Sequence, residues 1–128
     1  MSGICGWIDF SARVNYDPNI LDRMAQPLQF PGDATESRLI LPGSQIFGCQ
    51  KNHPALTWRH EDDAVLILGR PKLTNEGNHL TKDHSENICS RLLEGFRREG
   101  YSFLKHVRGH FLITVVLTSE KRAYLAVD

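Results

Sequence analysis

The carboxyl-terminal end of the chain holds the feature that most constrains its fold, a pair of apolar segments joined by a short polar turn. Phe111–Leu117 is dense in β-branched residues, and Arg122–Val127 follows after the polar residues 118–121. Two such segments around a turn are typical of an antiparallel hairpin. The end of the chain is therefore predicted to form two neighbouring strands of an antiparallel sheet.

A single strong helix is predicted before this hairpin, over residues 86–99. Ile88, Leu92 and Phe96 repeat every four residues and would lie on one face, and Gly100 is a natural residue to end the helix. The candidate N-cap residues are Asp83 and Ser85.

Shorter elements are predicted in the rest of the chain. Residues 4–10 have the pattern of a buried strand, and Asp17 with Pro18 begins a helix that Pro27 ends. Further strands are predicted over residues 38–41, 45–49, 56–59 and 64–68, and loops over residues 29–36 and 69–83. The turn at 42–44 joins two of the strands as a hairpin. Strands at both ends with helices between them predict an α+β fold with mainly antiparallel sheets.

Composition narrows the classes of protein to consider. A chain of 128 residues with balanced charge is one globular domain by length. No basic cluster exceeds the pair Arg97 and Arg98, and no apolar run is long enough to span a bilayer, so neither nucleic acid nor membrane is an expected partner. Three unpaired cysteines and the lack of a signal peptide favour a cytoplasmic location.

The first seven residues, Met-Ser-Gly-Ile-Cys-Gly-Trp, carry a resemblance to a known family. They resemble the start of class-II glutamine amidotransferases, above all the glutaminase domain of asparagine synthetases, which typically reads Met-Cys-Gly-Ile-x-Gly-Trp/Ile. In that family Met is removed, and the exposed Cys is the nucleophile while its own α-amino group is the base. Ser2 stands at the nucleophile position here.

The resemblance extends over nearly the whole chain, residues 1–128. Residues 108–115 are similar to the family strand Leu-x-Gly-Met-Phe-Ala-Phe-Ala, and residues 122–128 to the strand Leu-x-Leu-Ala-Arg-Asp. The helix end at 96–100 matches a family helix that ends Tyr-x-x-x-Gly. This implies a four-layer α/β/β/α sandwich of the N-terminal-nucleophile type, with the amino terminus at the mouth of a cleft between two sheets.

The family's functional motifs are altered at the matching positions. Leu68 replaces an Asn that donates to the oxyanion, while Gly69, whose backbone N–H is the second donor, is kept. Gln50 replaces the Arg that binds the glutamine α-carboxylate, and an amide cannot reproduce that bidentate contact. Lys51 beside it could supply charge as a point donor.

Two other family segments are altered as well. The family's Arg-Gly-Pro-Asp corresponds to residues 30–33, Phe-Pro-Gly-Asp. The Ser-Asp-Thr-Glu whose Asp holds the substrate amino group corresponds to residues 83–87, where Asp83 or Glu86 could take that role.

Other residues that could carry chemistry have simpler interpretations. Cys5 is a possible substitute nucleophile, but a thiol inside an apolar strand is more often an inert core residue. His110 stands where the family has Met, which predicts a packed position in the core or between the sheets. The acidic residues 61–63 are predicted to form a solvated turn and not a metal site.

Three functions follow as hypotheses. The favoured one is a glutaminase-like domain that has lost catalysis and serves structurally beside a carboxyl-terminal ATP-dependent synthetase domain, as in β-lactam synthetases and lasso-peptide cyclases. It would bind neither ATP nor metal and would need no cofactor of its own. The second is an active glutamine amidohydrolase that supplies ammonia. The third is a stand-alone interaction module whose cleft binds a peptide or an amino acid.

Overall fold

The computed structural model describes residues 2–11, 17, 19–29, 32, 34–74 and 84–128, with the backbone alone at 84–87. The predictions made for Pro18, Asp83 and most of residues 30–33 lie outside the described residues. Within the described part, the chain folds into antiparallel sheets and two α-helices, as the α+β prediction requires.

The first sheet has three strands. They are β1 (Ser2–Ile8), β2 (Ala34–Leu41) and β3 (Ser44–Lys51), in the order β1-β3-β2 and antiparallel throughout. Gly43 takes a φ of 76° in the turn between β2 and β3, a value that glycine adopts without steric cost. The hairpin predicted around residues 42–44 is confirmed.

The second sheet has four strands and contains the carboxyl-terminal hairpin. Its strands begin with β4 (Leu56–His60) and β5 (Asp63–Gly69). A separate two-stranded ladder pairs β6 (Lys72–Leu73) with β7 (Val107–Arg108). The four-stranded sheet is completed by β8 (Phe111–Leu117) and β9 (Arg122–Val127), in the order β4-β5-β8-β9. β8 and β9 have the predicted bounds.

Two α-helices pack against the sheets. The short helix α1 (Asn19–Ala25) begins after Asp17, whose carboxylate accepts the Asn19 N–H at 2.9 Å. The long helix α2 (His84–Glu99) is followed by Gly100, which takes a φ of 60° and begins a 3-10 helix. Neither of these two described helices is long and apolar enough to cross a membrane.

Three clusters of buried side chains lie between these elements. On β5, Val65 and Ile67 face α2 in the first cluster, while Leu66 and Leu68 face the three-stranded sheet in the second. This alternation explains why β5 is apolar on both faces. The third cluster joins α1 to the three-stranded sheet, and its buried residues are Leu21, Ala25, Phe47 and Cys49.

Several predicted boundaries differ from the observed ones. β2 begins at Ala34, so part of the loop predicted over 29–36 is strand, and the loop predicted over 69–83 contains β6. The prediction failed for β2 because its first half is polar and only half-buried, which leaves no apolar pattern. Ser85 lies inside α2 and is therefore not its N-cap.

The prediction of a solvated turn over residues 61–63 is wrong at Asp63. This side chain is 2% exposed and forms the first residue of β5. Arg97 donates to its Oδ2 from Nε at 3.0 Å and from a terminal nitrogen at 2.5 Å, and the Ser119 N–H donates to Oδ1 at 3.1 Å. Burial alone would raise the pKa of Asp63, but the hydrogen bonds from Arg97 and Ser119 outweigh it and hold the pKa below its usual value.

Acid is expected to destabilise the protein through Asp63. Its pKa is lower in the folded chain than in the unfolded chain, so the unfolded chain binds more protons between the two values. The stabilisation is complete above the unfolded value of about 3.9 and is lost as the pH falls through the folded pKa. Urea unfolding, followed by circular dichroism at a series of pH values from neutral down to the folded pKa, measures how steeply the free energy of unfolding falls with pH. If the free energy of unfolding of an Asp63→Asn variant fell equally steeply with pH, Asp63 would not be the cause of the acid sensitivity.

Candidate functional site

A cavity of about 230 Å³ lies where strand ends from the two larger sheets meet. Ser2 begins β1, Gln50 lies near the end of β3, and Gly69 ends β5. His110 precedes β8 and Asp128 follows β9, and both also line the cavity. The structure thus brings Ser2, Gln50 and Gly69, which the sequence analysis named as site positions, together with His110 and Asp128, which it did not.

Gly69 lies in the cavity wall in a conformation that only glycine takes easily. Its φ is 89°, and a Cβ atom there would lie 2.3 Å from the backbone oxygen of His110. The Arg70 N–H donates to the same oxygen at 2.8 Å, which holds the two strand ends close together. Glycine at this position is therefore explained by the close approach of two backbones.

The backbone N–H of Gly69 already has an acceptor within the protein. It donates to Oε1 of Gln50 at 2.7 Å, and Nε2 of Gln50 donates to the backbone oxygen of Pro54 at 2.7 Å. Gln50 is 4% exposed, so both ends of its amide are held in a buried network. Any ligand that used the Gly69 N–H would first have to displace the Gln50 side chain.

Only some of the other predicted site residues line the cavity. Ser2 is exposed, pairs with Gln50 in the ladder between β1 and β3, and lines the cavity. Leu68 also lines the cavity and is 1% exposed, but its side chain has no donor. Lys51 is exposed and does not line the cavity, as expected for the neighbour of an inward residue on a strand. Asp83 lies outside the described residues.

His110 and Asp128 form a pair that the sequence analysis missed. Nδ1 of His110 lies 2.8 Å from Oδ2 of Asp128, and the Phe111 N–H donates to Oδ1 at 2.8 Å. The Phe111 N–H lowers the pKa of Asp128 most, and burial only partly opposes this; His110 lowers it further. The packed position predicted for His110 is wrong, because its side chain is fully exposed at the cavity. The residues that flank an antiparallel hairpin face each other at its open end, which is the signal that could have found the pair.

The three cysteines do not supply a nucleophile in this cavity. Cys5 is half-buried beside α1, and its burial raises the pKa of the thiol despite the opposing charge of Arg38. Burial raises the pKa of Cys89 to about 12, and Cys49 is buried in the core cluster at α1. All three are free thiols. Within the described part of the chain, no group of three or more His, Cys, Asp or Glu side chains is placed to hold a metal ion.

Replacing Gln50 with alanine is expected to destabilise the fold. The change leaves the half-buried Gly69 N–H without its acceptor, which costs about 1–3 kcal/mol, while the oxygen of the exposed Pro54 can bond to water instead. Urea unfolding measures the loss. Lys51→Ala is the matched control because Lys51 is the exposed neighbour on the same strand. Equal losses in the two variants would show that the Gln50 amide is not a structural bridge.

Comparisons of this chain with protein-family models, with curated proteins and with solved structures gave no match.

Proposed function

We propose that this chain is an asparagine synthetase-like glutamine amidotransferase domain that no longer hydrolyses glutamine and serves structurally beside an ATP-dependent synthetase or cyclase domain. The hydrogen bond from the Gly69 N–H to Gln50 Oε1 carries the proposal. A side chain of the same protein thus accepts from the N–H that the family resemblance assigns to the oxyanion.

Loss of oxyanion stabilisation would be severe. The family resemblance assigns two donors to the oxyanion: Leu68 stands at one position and has no donor, and the Gly69 N–H at the other is bonded. Loss of a single such donor lowers kcat on the order of 10²–10³-fold. Loss of both leaves a tetrahedral intermediate without a hydrogen bond from either position.

Recognition of glutamine would be weakened at the same site. Gln50 replaces the family's arginine, and both ends of its amide form hydrogen bonds with the protein backbone. It carries no charge, and one of its two N–H donors is already bonded to Pro54, so it cannot make the bidentate contact of a guanidinium with an α-carboxylate. The exposed Lys51 does not line the cavity.

The nucleophile position is also weak. Ser2 lies at the cavity, and its hydroxyl needs a base to take the proton. In the family mechanism that base is the α-amino group of residue 2, which exists only after Met1 is removed. A retained Met1 places this nitrogen in a peptide bond and abolishes the base.

The packing supports the finer fold assignment. The apolar clusters lie in sequence between α1 and the three-stranded sheet, between the two sheets, and between the four-stranded sheet and α2. This is the layer order of the α/β/β/α sandwich that the resemblance implies. Ser2 at the cavity where strand ends meet corresponds to the expected cleft mouth. In this proposal the domain is cytoplasmic, needs no cofactor and has the synthetase domain as its partner.

One experiment tests the loss of activity. Intact-mass spectrometry establishes whether Met1 is removed, and a glutaminase assay with hydroxylamine then measures γ-glutamyl hydroxamate. Wild type is expected to release no more ammonia from glutamine than Ser2→Ala. Ser2→Cys is expected to stay inactive as well, because Gly69 and Leu68 are unchanged. Turnover by wild type above the Ser2→Ala level overturns the proposal.

The partner part of the proposal is tested by the genomic sequence after codon 128. A reading frame that continues into a Ser-Gly-Gly-x-Asp-Ser pyrophosphate loop supports a synthetase half. A stop codon, with no such protein encoded nearby, contradicts it.

One observation favours the second function, an active amidohydrolase. His110 and Asp128 form a hydrogen-bonded pair in the cavity that also holds Ser2, and such a pair could take the serine proton in place of an α-amine. Activity that is lost in both Ser2→Ala and His110→Ala would establish this function instead.

A further inference from the structure

The two-stranded ladder between β6 and β7 brings three basic side chains together that are far apart in the sequence. Lys72 and Arg108 lie directly opposite each other in this ladder. The Arg70 N–H donates to the backbone oxygen of His110 at 2.8 Å, so the pairing continues two residues before Lys72. Arg70 and Lys72 therefore point to the same side, as alternate residues of an extended segment do. Arg70, Lys72 and Arg108 together form the basic face of the ladder.

Burial along the segment agrees with this arrangement. Residues 70, 72 and 74 are exposed, whereas Pro71 is buried and Leu73 is half-buried. Leu73 and Val107 pair with each other and pack in the cluster against α2. The apolar side of the ladder thus faces the core, and the basic face is turned to solvent, where Arg108 is exposed as well.

The charges of the basic face are not balanced by carboxylates of the described residues. Within that part of the chain, no ion pair includes Arg70, Lys72 or Arg108. Arg70 is 2.9 Å from Nδ1 of His53, and Arg108 donates to two backbone oxygens. Like charges directly opposite on neighbouring strands destabilise a ladder. The pair of Lys72 and Arg108 therefore opposes the pairing of β6 with β7 unless an anion lies over it.

Asp128 and Glu99 lie near this ladder, but both carboxylates contact histidines. Oδ2 of Asp128 is 2.8 Å from Nδ1 of His110. Oε2 of Glu99 is 3.8 Å from Nε2 of His106. These two acids are thus placed at the histidines, and the basic face is left to an anion from outside the described residues.

The shape of the basic face favours a macromolecular anion over a small one. All three of its side chains are exposed, and none of them lines the cavity at Ser2. Sites for small molecules are concave and bury most of the ligand. Exposed charges instead recognise a partner macromolecule through complementary charge.

An acidic polypeptide fits this face better than nucleic acid does. The chain has a formal net charge of zero, whereas domains that bind nucleic acid usually carry a strong excess of basic residues. Proteins that bind single strands also present aromatic side chains on which the bases stack. The exposed residues at positions 70, 72, 74 and 108 include no aromatic side chain.

We propose that the basic face binds an extended acidic segment of a partner protein, with carboxylates on alternate residues. Arg70 and Lys72 are two residues apart, a distance of about 6.6–6.8 Å in an extended chain. Alternate residues of an extended partner segment have the same spacing, so two of its carboxylates contact Arg70 and Lys72 together. Arg108 lies opposite Lys72 and adds a second cation to one of these contacts.

The proposal is independent of the loss of glutaminase activity, because the basic face shares no residue with the cavity at Ser2. Failure to bind an acidic peptide would leave that function untouched, and glutamine turnover would leave this inference untouched.

Binding is measured on the full chain by fluorescence polarisation in low-salt buffer. The probe is a short rhodamine-labelled peptide of alternating glutamate and threonine with both ends capped. Saturable binding is expected, and it should weaken as salt is added because exposed charges are screened. A peptide with glutamine in place of glutamate is expected not to bind. A peptide of the same composition with its glutamates in a row tests the spacing and is expected to bind more weakly.

Lys72→Glu tests the site on the protein. It is expected to weaken binding about tenfold at low salt, because it removes one attraction and adds a repulsion. Lys121→Glu is the matched control, since it changes the net charge equally at an exposed position in the connection between β8 and β9. Its Kd is expected to equal that of the wild type. Equal loss in the two variants would mean that binding follows net charge alone, which overturns the proposal.

Urea unfolding of the same variant separates lost binding from lost structure. Lys72→Glu replaces a like-charge pair with Arg108 by a pair of opposite charges, so its urea midpoint is expected not to fall. Weaker binding with an unchanged or higher midpoint supports the proposal. Equal binding of the glutamate and glutamine peptides, or of the alternating and contiguous ones, overturns it. So does tighter binding of an oligothymidylate of equal charge, or displacement of the peptide by equimolar inorganic pyrophosphate.

Discussion

Replacement of Asp63 by alanine is expected to lower the free energy of unfolding by about 1.5–3 kcal/mol, the contribution of hydrogen bonds to a charged group in a partly buried pair. The carboxylate joins three elements, because Arg97 comes from α2, Ser119 from the β8–β9 connection, and Asp63 itself begins β5. Without it the Arg97 guanidinium, whose side chain is one-third exposed, loses its only carboxylate in the described structure. Urea unfolding by circular dichroism gives the free energy, and the slope of the transition checks that it stays two-state.

Asp62 provides a control of the same residue type one position earlier. Its side chain is 56% exposed and lies 3.4 Å from an Arg59 nitrogen, and exposed ion pairs of this kind contribute about 0–1 kcal/mol. Asp62→Ala is therefore expected to cost far less than Asp63→Ala. Similar losses for the two variants would mean that the buried hydrogen bonds of Asp63 do not stabilise the fold.

Replacement of Phe96 by alanine is expected to cost about 3–5 kcal/mol, the range observed for buried aromatic residues. Phe96 is 1% exposed and packs between α2 and the four-stranded sheet. Its ring centre lies 5.9 Å from that of Phe103 and 5.1 Å from that of Tyr124. Removal of the ring leaves a cavity against two aromatic neighbours, and urea unfolding measures the effect.

Tyr101 is the control for Phe96, since it belongs to the same aromatic group at the surface. It is 58% exposed, and its ring centre lies 4.7 Å from that of Tyr124 in an edge-to-face contact. Loss of one such contact is expected to cost about 0.5–1.5 kcal/mol. If Tyr101→Ala lowered the free energy of unfolding as much as Phe96→Ala, the exposed contact of this aromatic group would stabilise the fold as much as the buried one.

The sequence predicted best the elements whose patterns depend on their own residues. β8 and β9 have the predicted bounds because a dense β-branched run and a polar turn define a hairpin locally. α2 was found through the spacing of Ile88, Leu92 and Phe96, although it begins two residues earlier than predicted. The predicted β2 was too short because a half-buried edge strand with polar residues has little periodic pattern in its sequence.

The candidate site was predictable only in part. Ser2, Gln50 and Gly69 were singled out by resemblance, and the strand ends do bring them to one cavity. Their connection was not predictable, because the bond between Gln50 and Gly69 depends on how β3 and β5 of different sheets are placed over one another. Asp63 was missed for the same reason, since the partners that permit its burial lie 34 and 56 residues away in sequence.

The amide bridge from Gln50 to Gly69 and Pro54 has a consequence for how this chain can change over time. A mutation that removed the Gln50 side chain would leave the half-buried Gly69 N–H without its acceptor, so a loss of stability would accompany any new ligand at that N–H. Substitution at position 50 is therefore limited by the fold itself, through backbone groups that no change of residue type elsewhere removes.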